Sequence, residues 1–193
     1  LDEIPPAAPS PPDLTADSDT GSSSSDNLTS NTTPTFTGTA EAYSSVELFA
    51  DGSSLGTTTA DSSSNWSFTT PISGALKDGT IAITAQATDS SSNTSTNSTA
   101  LNLTVDSTAP IITSVESTTD DGVYGIDDVI TLTVDFSEDV VVSGTPTLQL
   151  NTGNKDRYAT YVSGSGNSKL AFQFTVKAGD SSTDLDQRSA DAL

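Results

Sequence analysis

Ser45-Val-Glu-Leu-Phe-Ala-Asp-Gly-Ser-Ser-Leu-Gly-Thr-Thr-Thr59 reads as two strands joined by a two-residue turn. Val46 and Leu48 fall on one face of the first strand, with the period of two that a half-buried strand requires. Asp51-Gly52 then supplies a pair that tolerates the left-handed backbone of a tight hairpin. Ser54–Thr59 returns as the second strand. Outward from this hairpin the same grammar repeats, with turn signals about every ten residues. Pro34–Ala40 alternates Thr with Phe36, and Trp66–Thr69 follows the turn Asp61–Asn65. Ile81, Ile83 and Ala85 alternate inward, as do Leu101, Leu103 and Val105. With Asp13–Ala16 as the first strand there are seven, which predicts an antiparallel sandwich of about 95 residues. Residues 1–12, rich in proline, read as an extended linker.

Asp106-Ser-Thr-Ala-Pro110 ends this module, with 107–110 as a short linker, and a second module occupies 111–193. Its strands are predicted at Ile111–Val115, Val129–Phe136, Val140–Val142, Thr147–Leu150, Tyr158–Val162 and Lys169–Val176. Six strands leave the module without its closing strand, so an unpaired edge should make it the less stable of the two. Only Leu185–Leu193 has any helical character. The fold class expected is therefore all-β, as two tandem immunoglobulin-like antiparallel sandwiches.

A net charge of −20 at pH 7, from 26 acidic against 6 basic residues, repels phosphate backbones and anionic lipid. Nucleic acid and membrane surfaces are excluded as partners on that ground, and no apolar run is long enough to span a bilayer. The same charge attracts divalent cations, whose hard ligands are carboxylate and carbonyl oxygens. Cysteine, methionine and histidine are absent. Their absence removes disulfides, thiolate nucleophiles and imidazole bases. Serine is abundant, yet nothing is present to activate one, and paired carboxylates for glycoside cleavage fall in turns where solvated loops explain them. The chain reads as a non-enzyme. Asn27, Asn31, Asn65, Asn93, Asn97 and Asn102 form glycosylation sequons, a number expected of so much Ser and Thr. Leu1 is not an initiator methionine, so the chain is expected to be an excised piece of a secreted protein.

Asp26-Asn-Leu-Thr-Ser-Asn-Thr-Thr-Pro-Thr-Phe-Thr-Gly-Thr-Ala-Glu41 resembles the opening of the bacterial Ig-like repeats found in giant calcium-dependent, type I secreted adhesins. Leu55-Gly-Thr-Thr-Thr-Ala-Asp61, Asn65-Trp-Ser-Phe68, Asp78-Gly-Thr80, Ala87-Thr-Asp89 and Asp106-Ser-Thr-Ala-Pro110 continue the likeness. Ile126-Asp-Asp-Val-Ile-Thr-Leu-Thr-Val-Asp-Phe-Ser-Glu138, with Ala178-Gly-Asp180 and Asp184-Leu-Asp186, resembles a sister module of the same adhesins. The family's further strand after that last motif is missing here. The resemblance implies a bacterial cell-surface, biofilm-associated protein.

Counting strands alternately down and up brings the loop Asp17–Thr33 and the end of the last strand to one end of the first module. The turn carrying Glu138 and Asp139 faces the same junction. Asp17, Asp19, Asp26, Asp106 and Glu138 are thus expected to share Ca2+ between modules. Glu41 and Asp89 are expected to serve the preceding junction. Asp121, Asp128, Asp184 and Asp186, with Asp120 and Asp127, are expected to serve the following one. The competing reading is that Asp and Asn merely stabilise turns through local hydrogen bonds. Trp66 beside Phe68 reads as core rather than as a sugar-stacking platform. Thr35, Thr37 and Thr39 read as ordinary strand formers rather than an ice-binding face. The function expected is a monomeric structural extender whose partners are neighbouring repeats of the same polypeptide, with host-surface or biofilm ligands reached through other domains. The alternatives are a glycan- or protein-binding adhesin module and the spacer of a secreted hydrolase.

Overall fold

The computed structural model describes residues 2–21, 23–153, 156–182 and 185. The chain forms two compact units, Leu1–Thr108 and Ala109–Leu193. The described residues are all-β, with one short 3-10 turn at Ile72–Gly74.

Unit 1 holds β1 (Asp13–Leu14), β2 (Leu28–Thr29), β3 (Thr35–Thr39), β4 (Ser45–Ala50), β5 (Ser53–Thr59), β6 (Asn65–Thr69), β7 (Gly79–Thr88) and β8 (Leu101–Val105). One sheet runs β1-β3-β6 and the other β2-β8-β7-β4-β5. Alternation sends Phe36, Trp66 and Phe68 inward from the first sheet. Val46, Leu48, Ile81, Ile83, Ala85, Leu103 and Val105 meet them from the second. Each such side chain, fully buried, contributes about 1.5–3 kcal/mol of transfer free energy. Trp66 is 3% exposed and belongs to this core, as its strand position predicts. The Asp51-Gly52 turn has φ of 47° and 79° at its two residues, the left-handed pair of a type I′ hairpin.

Gly38 sits opposite Trp66 in the β3–β6 ladder. A Cβ placed there would lie 2.4 Å from Trp66 Cζ2 and 2.7 Å from Cε2. The indole therefore occupies space that only glycine leaves open.

Two features differ from the sequence expectation. Leu28–Thr29 form a strand, β2, inside what reads as a loop over Asp17–Thr33, and it pairs parallel to β8. Two residues are too short to show any periodicity. Residues 2–12, expected to be a free linker, lie against unit 1. Pro6, Pro9 and Pro12 are buried, and Ser10 N donates to Thr39 O at 2.9 Å.

Unit 2 holds β9 (Ile112–Ser117), β10 (Val129–Val140), β11 (Thr147–Asn151), β12 (Asp156–Ser163) and β13 (Asn167–Thr175). They form an antiparallel sheet in the order β11-β12-β13-β10-β9. Ile130, Leu132, Val134, Leu148, Leu150, Ala159, Leu170, Phe172 and Phe174 make its core. The two strands expected over 129–142 are one. β10 runs through Ser137-Glu138-Asp139 with a break in register between Asp135 and Val140, as a bulge produces. Lys169–Asp135 and Arg157–Asp180, each at 2.7 Å, tie strands and loop together. The weak helix expected at Leu185–Leu193 lies, apart from Leu185, outside the described residues.

Candidate metal centre

The loop between β1 and β2 is built from hydroxyls and carboxylates bonding to its own backbone. Ser18 N and Asp19 N both donate to Thr15 O, and Ser18 Oγ accepts from Thr35 N at 2.9 Å. Thr29, 1% exposed, is the hub: its Oγ1 donates to Ser18 O at 2.5 Å and accepts from Asn31 N at 2.9 Å. Thr20 Oγ1 accepts from Ser30 N at 2.7 Å and closes the crossing. Asn27 adopts a left-handed backbone, φ 59°. Its N–H is donated to Asp19 Oδ2 at 3.2 Å and its carbonyl accepts from Thr104 N. Asp26 Oδ1 accepts from Leu28 N at 3.1 Å.

Asp19 is 7% exposed, and its second oxygen, Oδ1, is buried with no hydrogen-bond partner among the described residues. A buried carboxylate oxygen lacking any donor is unfavourable by several kcal/mol unless water or a cation reaches it.

The pairing of β2 with β8 brings this loop to the end of unit 1 that carries the linker. Asp106 N donates to Thr29 O at 2.9 Å, and Asp106 Oδ1 accepts from Thr108 N at 3.2 Å. Asp78, which was not among the expected ligands, grips the same segment. Its Oδ1 accepts from Ser107 N at 2.9 Å and Ser107 Oγ at 2.7 Å, and its Oδ2 accepts from Thr108 Oγ1 at 2.8 Å. Hydrogen bonds from the Ser107 side chain and backbone, then from Thr108, hold the Asp78 carboxyl below its ordinary pKa.

The remaining expected ligands are scattered. Asp17 and Glu41 are exposed. Asp89 is saturated by its own turn: Ser91 N, Asn93 N and Asn93 Nδ2 each donate to it at 2.8 Å. The Asn93 amide is the chief cause of its lowered pKa. Glu138, placed by the sequence in a turn, lies half-buried in the irregular part of β10. Asp121 and Asp128 are exposed, and Asp128 Oδ2 accepts from Gly125 N at 2.6 Å. Asp127 pairs with Lys177 at 3.2 Å, and the Asp120 carbonyl accepts from the Tyr124 hydroxyl. Asp184 and Asp186 lie outside the described residues. Among the described residues, no three carboxylates converge closely enough to hold a metal by themselves. What the linker end of unit 1 offers is a partial donor set: one orphaned carboxylate oxygen in a loop rich in carbonyls and hydroxyls.

The sequence profile of a family described as bacterial Ig-like domain matches residues 5–107. The match includes part of the proline segment that lies against the sandwich. No curated protein matches. Among solved structures, the chain is similar to one described as a Ca2+-stabilized adhesin that helps an Antarctic bacterium reach out and bind ice. That likeness has 18% identity and a TM-score of 0.42, covering 88% of this chain and 41% of that one. The chain thus spans less than half the length of that structure. Among the described residues no helix is long and apolar enough to cross a membrane.

Proposed function

The chain belongs to the bacterial Ig-like domain family, and from that premise we propose that it is a non-catalytic extender segment of a bacterial cell-surface adhesin, stiffened by Ca2+. The observation that carries the reading is the buried, donor-less Oδ1 of Asp19 at the end of unit 1 where the linker leaves. Calcium takes 6–8 oxygens and draws freely on carbonyls and water, so a site need not supply three carboxylates. Asp19 would hold the ion, with Asp26 and Asp17 on the same loop adding charge. A bound cation removes the repulsion among these carboxylates and satisfies the orphaned oxygen. It also braces the loop against β8 and so restricts the linker that follows. Repeated along a chain of modules, the same effect turns a flexible string into a rod that carries a binding domain away from the cell.

The absence of histidine and cysteine leaves serine without an activating partner, which supports a non-catalytic role. A glycan-binding reading would need a cluster of exposed aromatics; Trp66 is buried, and the exposed Tyr43 and Tyr158 belong to different units.

Calcium titration by calorimetry tests the site, comparing the parent chain with Asp19→Asn and with Asp61→Asn as an acidic control. The proposal expects a binding event lost in Asp19→Asn and kept in Asp61→Asn. Equal isotherms for parent and Asp19→Asn would remove Asp19 from the mechanism.

A further inference from the structure

The segment Asp2–Pro12 has a burial period of three. Pro6, Pro9 and Pro12 are buried, while Pro5, Ala7, Ala8 and Pro11 are exposed. Polyproline II has three residues per turn, so one edge of such a helix presents residues i, i+3 and i+6 to the same surface. This strap lies against unit 1 by that edge. Ser10 N donates to Thr39 O, and Thr39 N donates to Ser10 Oγ, both at 2.9 Å. Ser10 Oγ also lies near the space above Gly38, over the Trp66 indole. Farther out, Asn93 Nδ2 donates to Asp2 O at 3.0 Å. The strap continues the line of β1 along β3, antiparallel to it. Its prolines lack N–H groups, so little of its backbone can recruit another strand.

The topology fixes how this strap is loaded. Asn93 lies between β7 and β8, at the end of unit 1 that also carries the β3–β4 connection, because Ser45 pairs with Thr88. The chain leaves unit 1 at the opposite end, where Gly79 pairs with Val105 and Asp78 holds Ser107. The strap therefore begins at the end remote from the exit, and at Ser10 it meets Thr39, the last residue of β3, just before the first strand starts opposite Thr37. Tension between the two termini enters through the strap before it reaches β1. The Ser10–Thr39 pair, antiparallel to β3 as β1 is, then takes the load before the β1 ladder does.

We propose that Asp2–Pro12 is a load-bearing latch, whose contacts with Thr39 and Asn93 must break before tension can reach β1 and the core. Its biological use rests on the extender reading, but its mechanics do not. The chain has no cysteine, so pairs of introduced cysteines define the pulling axis in single-molecule force spectroscopy of the full chain. One pair, Leu1→Cys with Ala109→Cys, loads the strap; the other, Asp13→Cys with Ala109→Cys, bypasses it. All measurements are made in chelator, so that failure of the latch and failure of the calcium site are read separately. Combining Pro6→Ser, Pro9→Ser and Pro12→Ser is expected to speed unit 1 unfolding at fixed force about tenfold in the first geometry. In the second geometry the rate is expected to stay unchanged. Ser10→Ala, a milder change that removes one acceptor, is expected to give a smaller effect with the same pattern. Equal acceleration in both geometries would reduce the strap to a contributor to general stability. No acceleration in the first would show that it bears no load. Either result overturns the proposal.

Discussion

Gly38→Ala is the sharpest test of how unit 1 is packed. Alanine would ordinarily help a strand, since it narrows the unfolded ensemble by about 0.4–1 kcal/mol. Here the new methyl would sit 2.4 Å from Trp66 Cζ2 and 2.7 Å from Cε2. Carbon atoms pack favourably at about 3.5–4.0 Å, so the overlap exceeds 1 Å. Ser10 Oγ, 2.8 Å away on the other side, belongs to a short surface side chain and can turn aside. The indole, 3% exposed and part of the buried core that includes Phe36, Val46 and Leu48, cannot. Overpacking of this kind is unfavourable by about 1–3 kcal/mol, more than the entropic gain. For a unit of this size each kcal/mol moves the midpoint by roughly 4–8 °C, so unfolding should fall by roughly 5–20 °C. Trp66 is the only tryptophan, and its fluorescence reports unit 1 selectively during thermal unfolding. An unchanged or raised midpoint on that signal would refute the close approach of indole to strand β3.

Two further outcomes follow from the linker end of unit 1. Thr29→Val keeps the shape of a buried hub but strands Ser18 O and Asn31 N. It should destabilise unit 1 by about 1–3 kcal/mol, measured by urea unfolding followed through Trp66. Asp78 is held below its ordinary pKa of 3.8, so its grip on Ser107 and Thr108 is intact above that pH and is lost as the pH falls below it. Amide exchange at Ser107, corrected for intrinsic rates, should keep its protection down to pH 3.8 and lose it only as the pH falls further. In Asp78→Ala it should be fast throughout. Equal protection in parent and variant would mean that the carboxylate does not hold the linker.

What the sequence made legible is what carries a period or a strongly biased turn. Val46, Leu48, Ile81, Ile83 and Ala85 announce their faces by alternation, and Asp51-Gly52 announces its turn because few other pairs accept two left-handed residues. Trp66 is readable as core because it shares the face of Phe68, two residues along the same strand. β2 is not readable, because its two residues owe their strand geometry to β8, about seventy-five positions away in sequence. The strap is not readable as a docked element either: its period of three is carried by prolines, which the eye takes for a linker. In unit 2, Ser137-Glu138-Asp139 looks like a turn because it is polar, whereas a bulge lets β10 carry it through. The candidate site follows the same division. The strand count places the Asp17–Thr33 loop beside Asp106, and hydrogen bonds from Asp106 to Thr29 and from Thr29 to Ser18 join them. Which acid matters depends on burial and orphaned oxygens, and neither has a sequence signature: Asp17 and Asp19 look alike until one is buried. Asp78 was hidden for the opposite reason, because Asp-Gly reads as an ordinary turn.

Small-angle scattering of the intact chain, with calcium and then with excess chelator, tests the stiffening claim most directly. An ion bound at Asp19 that braces the linker predicts a longer maximum dimension and a narrower distance distribution in calcium, both lost on chelation and both absent in Asp19→Asn. Identical profiles in the two buffers would leave a β-rich spacer whose flexibility owes nothing to a metal.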